Sequence, residues 1–533
     1  MEESKKEEKQ YWLVFFIEKN KRIFLLAYFF SLLAYGVLFF NRTVSIDEET
    51  WLMNSVIPNG WIDQGRISIH LFDLLFSHNG EPVAFLWDYM AVTVWFLAGI
   101  VFMSLLTEKM RKEILPFLQF VFLVYFTTLP FVPGQIMAFS MSSFPVATGI
   151  LASAFSLRKT LLFVETKDKK TWIAAVLLLL YGVSIYQAIL GMYITAVVIL
   201  CLIGVLEKNR WSGALIANSA IIAGMACLVF GVLTKLCIFV FQSDSQSYLS
   251  ENFIGWIEDP GILHALFMAF ANVGRVSFNV TIGDVNIYGG AVICVGTIGF
   301  ILCMLYLLFM EREKGKRLKL LLFSGALLLA PFAIYLLLGT YKTQGRMLLG
   351  LSLSGAFEYL LILRCLWKKK ILHHLAVLTV VYLLFFNLGN TNRIYYYDYL
   401  RYTHDKVIAN EIMYDIRKQG LDYHQKALVF IGKIEPEVGL NVKHDSLGFR
   451  GSYFKWDDGN IGRINKFLVT EGYQVAAPSS EQIQRSILYS EQMQAWPLKG
   501  SIIETNDTII IKLSDPTDKW YRINGVANVD LNT

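Results

Sequence analysis

Through the first 390 residues, long apolar runs alternate with short polar connectors, and after that point the pattern changes. A helix needs about 20 largely apolar residues to cross a bilayer. By that measure the sequence predicts eleven spans, at 22–40, 85–106, 114–132, 140–157, 172–187, 188–206, 212–240, 286–310, 318–338, 347–366 and 371–389. The fifth and sixth meet at Tyr186-Gln187, so one break there sets the parity of everything downstream. Ile67–Phe76 is apolar but too short to span, and is expected to lie in the interface. Gly261–Asn279 spaces its apolar residues as an amphipathic helix does, carries His264, Asn272 and Arg275, and is expected on the outer leaflet.

Beyond residue 390 the polar content rises. Asn390–Gly420 reads as a tyrosine-rich amphipathic helix leaving the membrane, and Lys426–Ile431 as a strand. Gly462–Glu471 and Ser480–Gln494 read as helices, the second opened by the capping pair Ser479-Ser480. Ser501–Leu513 reads as a hairpin turning at Asn506-Asp507. The prediction is an α-helical polytopic membrane domain over 1–389 and a small α/β domain over 390–533.

Composition supports the membrane reading. Of the 533 residues, 55% are hydrophobic and only 17% charged, too apolar for a soluble chain of this length. All six cysteines fall within apolar runs and read as small buried hydrophobes. No basic patch of the kind that binds nucleic acid is present. Met1–Gln10 is a polar leader without the features of a cleavable signal. Lysine and arginine are distributed unevenly. The connectors on one side hold 25 of them, and the opposite loops hold only Arg42, Arg66, Arg275, Lys342 and Arg346. The positive-inside rule puts the N-terminus in the cytoplasm. With eleven spans, the C-terminal domain and the loop Asn41–Arg66 are extracytoplasmic.

That loop gathers Asp47, Glu48 and Glu49, with Trp51, Trp61 and Gly65-Arg66. Loops held by a rigid scaffold are where catalytic groups concentrate; an interfacial loop with an aromatic belt is the plainer reading. The other outward residues include His70, His78, Glu81, Arg275, Asp284, Lys342 and Arg346. The two histidines lack metal-ligand spacing, and Asp457-Asp458 reads as a turn. Acids opposite a few cations suit transfer of a sugar from a lipid phosphate. The phosphate is already a good leaving group, so the site needs a base for the acceptor hydroxyl, worth about 10²–10⁴-fold, and cations for the departing phosphate. A divalent metal such as Mg or Mn at Asp47, Glu48 and Glu49 is an alternative way to neutralise that charge. Glu358, midway along the tenth span, needs a partner or a proton there.

Several pieces together resemble the bacterial polytopic glucosyltransferases that decorate O-antigen and related envelope glycans, a branch of the GT-C superfamily. They are Asp47-Glu48 after the first span, Gly65-Arg66, Gln344-Gly345-Arg346, Asp405–Ile416, Arg463–Tyr473, Trp496-Pro497 and Gly500-Ser501-Ile502. Closer members carry two aspartates and an Arg-Trp pair, where this chain has Glu48 and Ile67. The resemblance implies an inverting hexosyltransferase of the bacterial plasma membrane. It would take glucose or a similar hexose from an undecaprenyl-phosphate sugar and pass it to a lipid-linked or surface glycan. It further implies Asp47 as base, Glu48 as its partner or a metal ligand, and Arg66 and Arg346 as phosphate clamps. Lys342 and Arg275 would assist at the phosphate, and Trp51, Trp61 and Glu49 would contact sugar. An O-antigen polymerase or ligase, a lipid or glycan transporter and a non-enzymatic assembly protein are the alternatives.

Overall fold

The computed structural model describes residues 12–53, 60–76, 83, 85–110, 113–207, 212–242, 256, 261–280, 287–339, 344–367, 369–435 and 451–526. His78, Glu81, Asp284 and Lys342 lie outside them. The chain divides into two compact units. The first holds 1–40, 58–78 and 83–393, and the second holds 41–57, 79–82 and 394–533.

The first unit is helical. Among the described residues, eight helices are long and apolar enough to cross a membrane: Leu86–Lys109, Pro116–Met137, Ser140–Thr166, Ile189–Leu206, Gly213–Val240, Gly290–Met310, Lys314–Leu338 and Lys370–Lys418. Trp12–Ala34, Lys169–Ile185 and Gly350–Leu366 occupy the three remaining apolar runs. The surface shows what these helices are built for. Leu228, Phe239, Leu302 and Phe309 are more than half exposed, which water would penalise and a bilayer would not. Inside, glycines let helices approach, as in other membrane bundles. A Cβ on Gly182 would stand 3.0 Å from the Gly149 carbonyl oxygen. Ion pairs form among the basic connectors, Lys109 with Glu165 (3.0 Å) and Arg364 with Glu207 (2.6 Å). Glu358 is buried in Gly350–Leu366 against Gly296 of Gly290–Met310.

Two features depart from the sequence expectations. Pro130–Gly134, where the predicted span 114–132 ends, forms a π-turn that carries the helix on from Pro116–Thr128 to Gln135–Met137. Pro130 and Pro133 lack the amide hydrogens of a regular α-helix, and the backbone widens instead of breaking. The second is Lys370–Lys418, which is one continuous helix of 49 residues, although the polarity change near 390 reads as the start of a new element. No proline interrupts it, and a polarity change does not by itself stop a backbone ladder.

The second unit has a three-stranded sheet in the order β1-β3-β2, with β1 at Ala427–Ile431, β2 at Ile502–Glu504 and β3 at Thr508–Lys512. β1 and β3 are parallel, Leu428 opposite Ile509 and Phe430 opposite Ile511. β2 and β3 form the predicted hairpin. β1 and β3 are buried along their whole length, so their continuous apolar sequence fits a central pair of strands. Helices Ile461–Thr470 and Ser480–Ser490 pack on this sheet, the latter opened by a capping box between Ser479 and Gln482. The same core takes Ile408, Ile412 and Ile416 from the long helix and, from far upstream, Val44 and Ile46.

A buried charge network ties these pieces together. Arg401 donates to Asp398 (2.7 Å) and Asp405 (3.3 Å), and all three side chains are at most 1% exposed. Asp398 also accepts from Thr43, and Asp405 accepts from the Ser452 hydroxyl and the Tyr453 amide. Removing the cation leaves two carboxylates in a dry site. Arg401→Leu is therefore expected to destabilise the second unit by about 3–5 kcal/mol, read as a lowered denaturation midpoint of the purified chain in detergent.

Candidate active site

Chain direction and two core anchors position the acidic segment. Val44 and Ile46 plug into the second unit's core, and the Tyr453 hydroxyl donates to the Ser45 carbonyl at 2.9 Å. A five-residue helix, Glu48–Leu52, follows at once. Its three acids have separate surroundings. Glu48 is 4% exposed, and its carboxylate accepts the Ser45 amide at 2.8 Å, closing the turn that leads into the helix. Glu49 is fully buried. Asp47 sits at the helix start with φ of 83°, a left-handed conformation that aspartate tolerates better than most residues, and its carboxylate makes no cap.

That carboxylate goes instead to Arg463, on helix Ile461–Thr470. The guanidinium donates Nη2 to Asp47 Oδ1 (2.9 Å), Nη1 to Glu49 Oε1 (2.7 Å) and Nε to Asp457 Oδ2 (3.0 Å). One planar fork thus meets three carboxylates, a use that lysine cannot reproduce. Burial opposes the charge on Arg463, but Asp47, Glu49 and Asp457 outweigh it and hold the group ionised. Burial likewise pushes the Glu49 carboxyl up, and Arg463 pulls it partway back. Asp47 keeps 54% of its side chain exposed, and its Oδ2 makes no hydrogen bond among the described residues. The adjacent Lys466 holds the Thr50 hydroxyl at 3.1 Å.

Asp47 and Glu49 already share a guanidinium, and Glu48 serves its own backbone. Among the described residues no three His, Cys, Asp or Glu side chains stand together as a metal site. The donor set as arranged does not fit a divalent cation.

The cations predicted from the sequence gather in the first unit. Gly65 has φ of 69°, in a turn packed against Gln187, Phe230 and Thr234. The turn delivers the Arg66 guanidinium to a place between two rings, 5.5 Å from Trp61 and 5.3 Å from Tyr186. Trp61 is itself fixed by a 2.6 Å hydrogen bond to Asp73. Gly345 lies against the Phe131 carbonyl of the π-turn so closely that no Cβ fits. Arg346 follows, its amide on Gln135 (3.0 Å), its Nε on Gln344 (3.1 Å) and its guanidinium 4.9 Å from the Phe139 ring. Arg66 and Arg346 both act electrostatically on Tyr186, and Arg346 and Arg275 both act on Tyr335. Arg346 is thus within electrostatic range of both tyrosines, Arg66 of the half-buried Tyr186 and Arg275 of the buried Tyr335. No carboxylate pairs with Arg346 among the described residues.

Other sequence candidates fall elsewhere. Trp51 is buried at 9% exposure, and His70 packs edge-on against Phe241. Sequence reasoning gave no role to Arg463, Tyr186 or Tyr335. Arg463 falls within one of the segments that carry the family resemblance, but its partners in the acidic segment, Asp47 and Glu49, are more than 400 positions upstream and no local pattern links them.

A bundle of apolar helices bearing an arginine cluster, joined in one chain to an α/β unit bearing an acidic loop, defines a polytopic membrane protein with the groups for sugar transfer. A family model described as Glucosyl transferase GtrII matches residues 36–363. The chain belongs to this family, and it is a membrane glucosyltransferase. No curated protein and no solved structure matches it. The family match takes in the acidic loop and all three arginines but ends a hundred residues before Arg463.

If Arg463 neutralises the loop, its loss should hurt less once the buried acid is gone. A cycle of Arg463→Leu, Glu49→Gln and the double variant is expected to show a coupling of about 1–3 kcal/mol in thermal stability. Additive effects would mean that the pair is incidental.

Proposed function

We propose that this glucosyltransferase moves a hexose, glucose, from an undecaprenyl-phosphate sugar to a lipid-linked or surface glycan, on the outer face of a bacterial plasma membrane and with inversion. The architecture is of the GT-C type with eleven spans. The N-terminus is cytoplasmic and the α/β domain extracytoplasmic, as the lysine and arginine bias favours.

Asp47 is the base. The observation that carries this is the contrast within the acidic triplet, since Glu48 and Glu49 are buried at 4% and 0% while Asp47 is half exposed with one oxygen available. Asp47 Oδ2 takes the proton of the acceptor hydroxyl as that oxygen forms its bond to the anomeric carbon. The bond from this carbon to the lipid phosphate breaks on the opposite face, and the electron pair leaves with the phosphate. Arg463 holds the carboxylate in its left-handed turn and limits its rotation. Glu48 shapes the loop and is not required as a proton carrier.

Arg66, Arg346 and Arg275 receive the phosphate. Guanidinium forks bind phosphate oxygens in pairs, and the bonds strengthen as the leaving group gains charge. Lys342 is assigned to the same anion on its position in the sequence. The aromatic rings around Arg66 and Arg346 fix both forks in advance, so little order is lost on binding.

Two measurements test the assignment, both with purified chain in proteoliposomes and a polyprenyl-phosphate glucose donor. Asp47→Asn is expected to insert and fold normally and to lose at least about 10²-fold in transfer, whereas Glu48→Gln loses much less. Near wild-type turnover in Asp47→Asn would exclude it as base. Arg66→Lys and Arg346→Lys are each expected to cut transfer at least tenfold at unchanged expression, with the loss in donor use. If both variants turn over normally, the arginines are surface charges.

A further inference from the structure

The second unit contains a cleft of about 540 Å³ that the transfer chemistry above does not use. Its volume falls in the range of about 300–1,000 Å³ typical of small-ligand sites. Arg42, Leu52 and Met53 line it from the acidic segment, and Tyr402, Lys406 and Glu471 from the tail. Its polar groups are ordered before any ligand arrives. The Tyr402 hydroxyl donates to Glu471 Oε1 at 2.7 Å, and Lys406 holds Oε2 at 3.0 Å while standing 5.6 Å from the Tyr402 ring centre. Glu471 is thereby compensated. Arg42, exposed at the edge, has no carboxylate within ion-pair distance among the described residues and leaves the lining with a surplus positive charge.

From these features we infer that the cleft is a subsite for the acceptor, holding a hydroxyl-rich oligosaccharide segment that carries a carboxylate or phosphate. The lining offers an aromatic ring, a hydroxyl, a carboxylate and two cations around a shallow apolar floor. This set matches sugar hydroxyls and an acidic substituent, and offers too little continuous apolar surface for a lipid chain. Position supports the same occupant. Leu52 ends the short helix that Asp47 begins, and at about 1.5 Å of rise per residue the cleft lies about 7 Å along the helix from Asp47. A glycan lying in the cleft brings its next sugar within reach of that carboxylate. The inference rests on Asp47 being the base, and it gives the tail, which the family match does not cover, the task of choosing the acceptor.

The test uses the full chain in nanodiscs and, as probe, the envelope polysaccharide extracted from a host strain lacking this gene. Binding is measured by titration for the wild type, for Thr470→Trp, which fills the cleft, and for Arg42→Gln, a surface change that leaves the fold intact. Binding at least tenfold weaker in Thr470→Trp and at least threefold weaker in Arg42→Gln is expected. Affinities within twofold of wild type in both variants would overturn the proposal. Glucosyl transfer is followed separately in the same preparations. Wild-type transfer with undiminished binding in the variants removes the cleft and leaves the transferase assignment. Weakened binding in the variants without any wild-type transfer retains the glycan site and removes Asp47 as base.

Discussion

One guanidinium makes the acidic segment possible. Three consecutive carboxylates repel one another, and one of them, Glu49, is wholly buried, where an uncompensated charge costs several kcal/mol. Arg463 meets Asp47, Glu49 and Asp457 together at hydrogen-bonding distance. The short helix, the left-handed turn at Asp47 and the outward direction of its free oxygen follow from that contact. The anchors Val44 and Ile46 bring the segment to the tail's core, but they act on apolar surface and cannot orient a carboxylate. Directional charge-assisted bonds can.

The cations follow a different logic. Arg66 stands against the rings of Trp61 and Tyr186, and Arg346 against the Phe139 ring and the Gln344 amide side chain, contacts that hold a guanidinium in place. Each depends on the glycine before it for a different reason. Gly65 supplies a left-handed backbone, and Gly345 supplies the absence of a side chain beside the Phe131 carbonyl. The π-turn that brings Phe131 there exists because two prolines interrupt the helix. Thus two prolines set the address of an arginine more than 200 positions downstream, through the glycine beside it.

What could be read from the sequence tracks the range of the forces involved. Eight spans were legible because the bilayer demands a long apolar run in each, and that demand is local. β1 and β3 were legible because both of their faces are buried, and the Ser479–Gln482 cap because it closes within one turn. The loop topology put Arg66 and Arg346 on one side of the membrane, but nothing local in the sequence marked Tyr186, on which both act electrostatically. The continuous helix Lys370–Lys418 was missed because composition reports solvent more faithfully than it reports hydrogen bonding. Glu48 was grouped with Asp47 by adjacency, although its carboxylate turns back to the Ser45 amide. Arg463 was beyond reach because nothing in a single chain marks which cation will answer a carboxylate 416 positions away.

That separation also sets a schedule. The acidic segment leaves the ribosome early, while Arg463 follows 416 residues later. At ordinary rates of synthesis the delay is roughly 20–80 s. Throughout it the carboxylates lack their cation, and the sheet that receives Val44 and Ile46 does not exist, because β3 is still to be made. The acidic segment therefore cannot take up the arrangement seen in the folded protein until almost the whole chain has been translated. A truncated product lacking the tail would carry three adjacent carboxylates with neither their cation nor the core that anchors them.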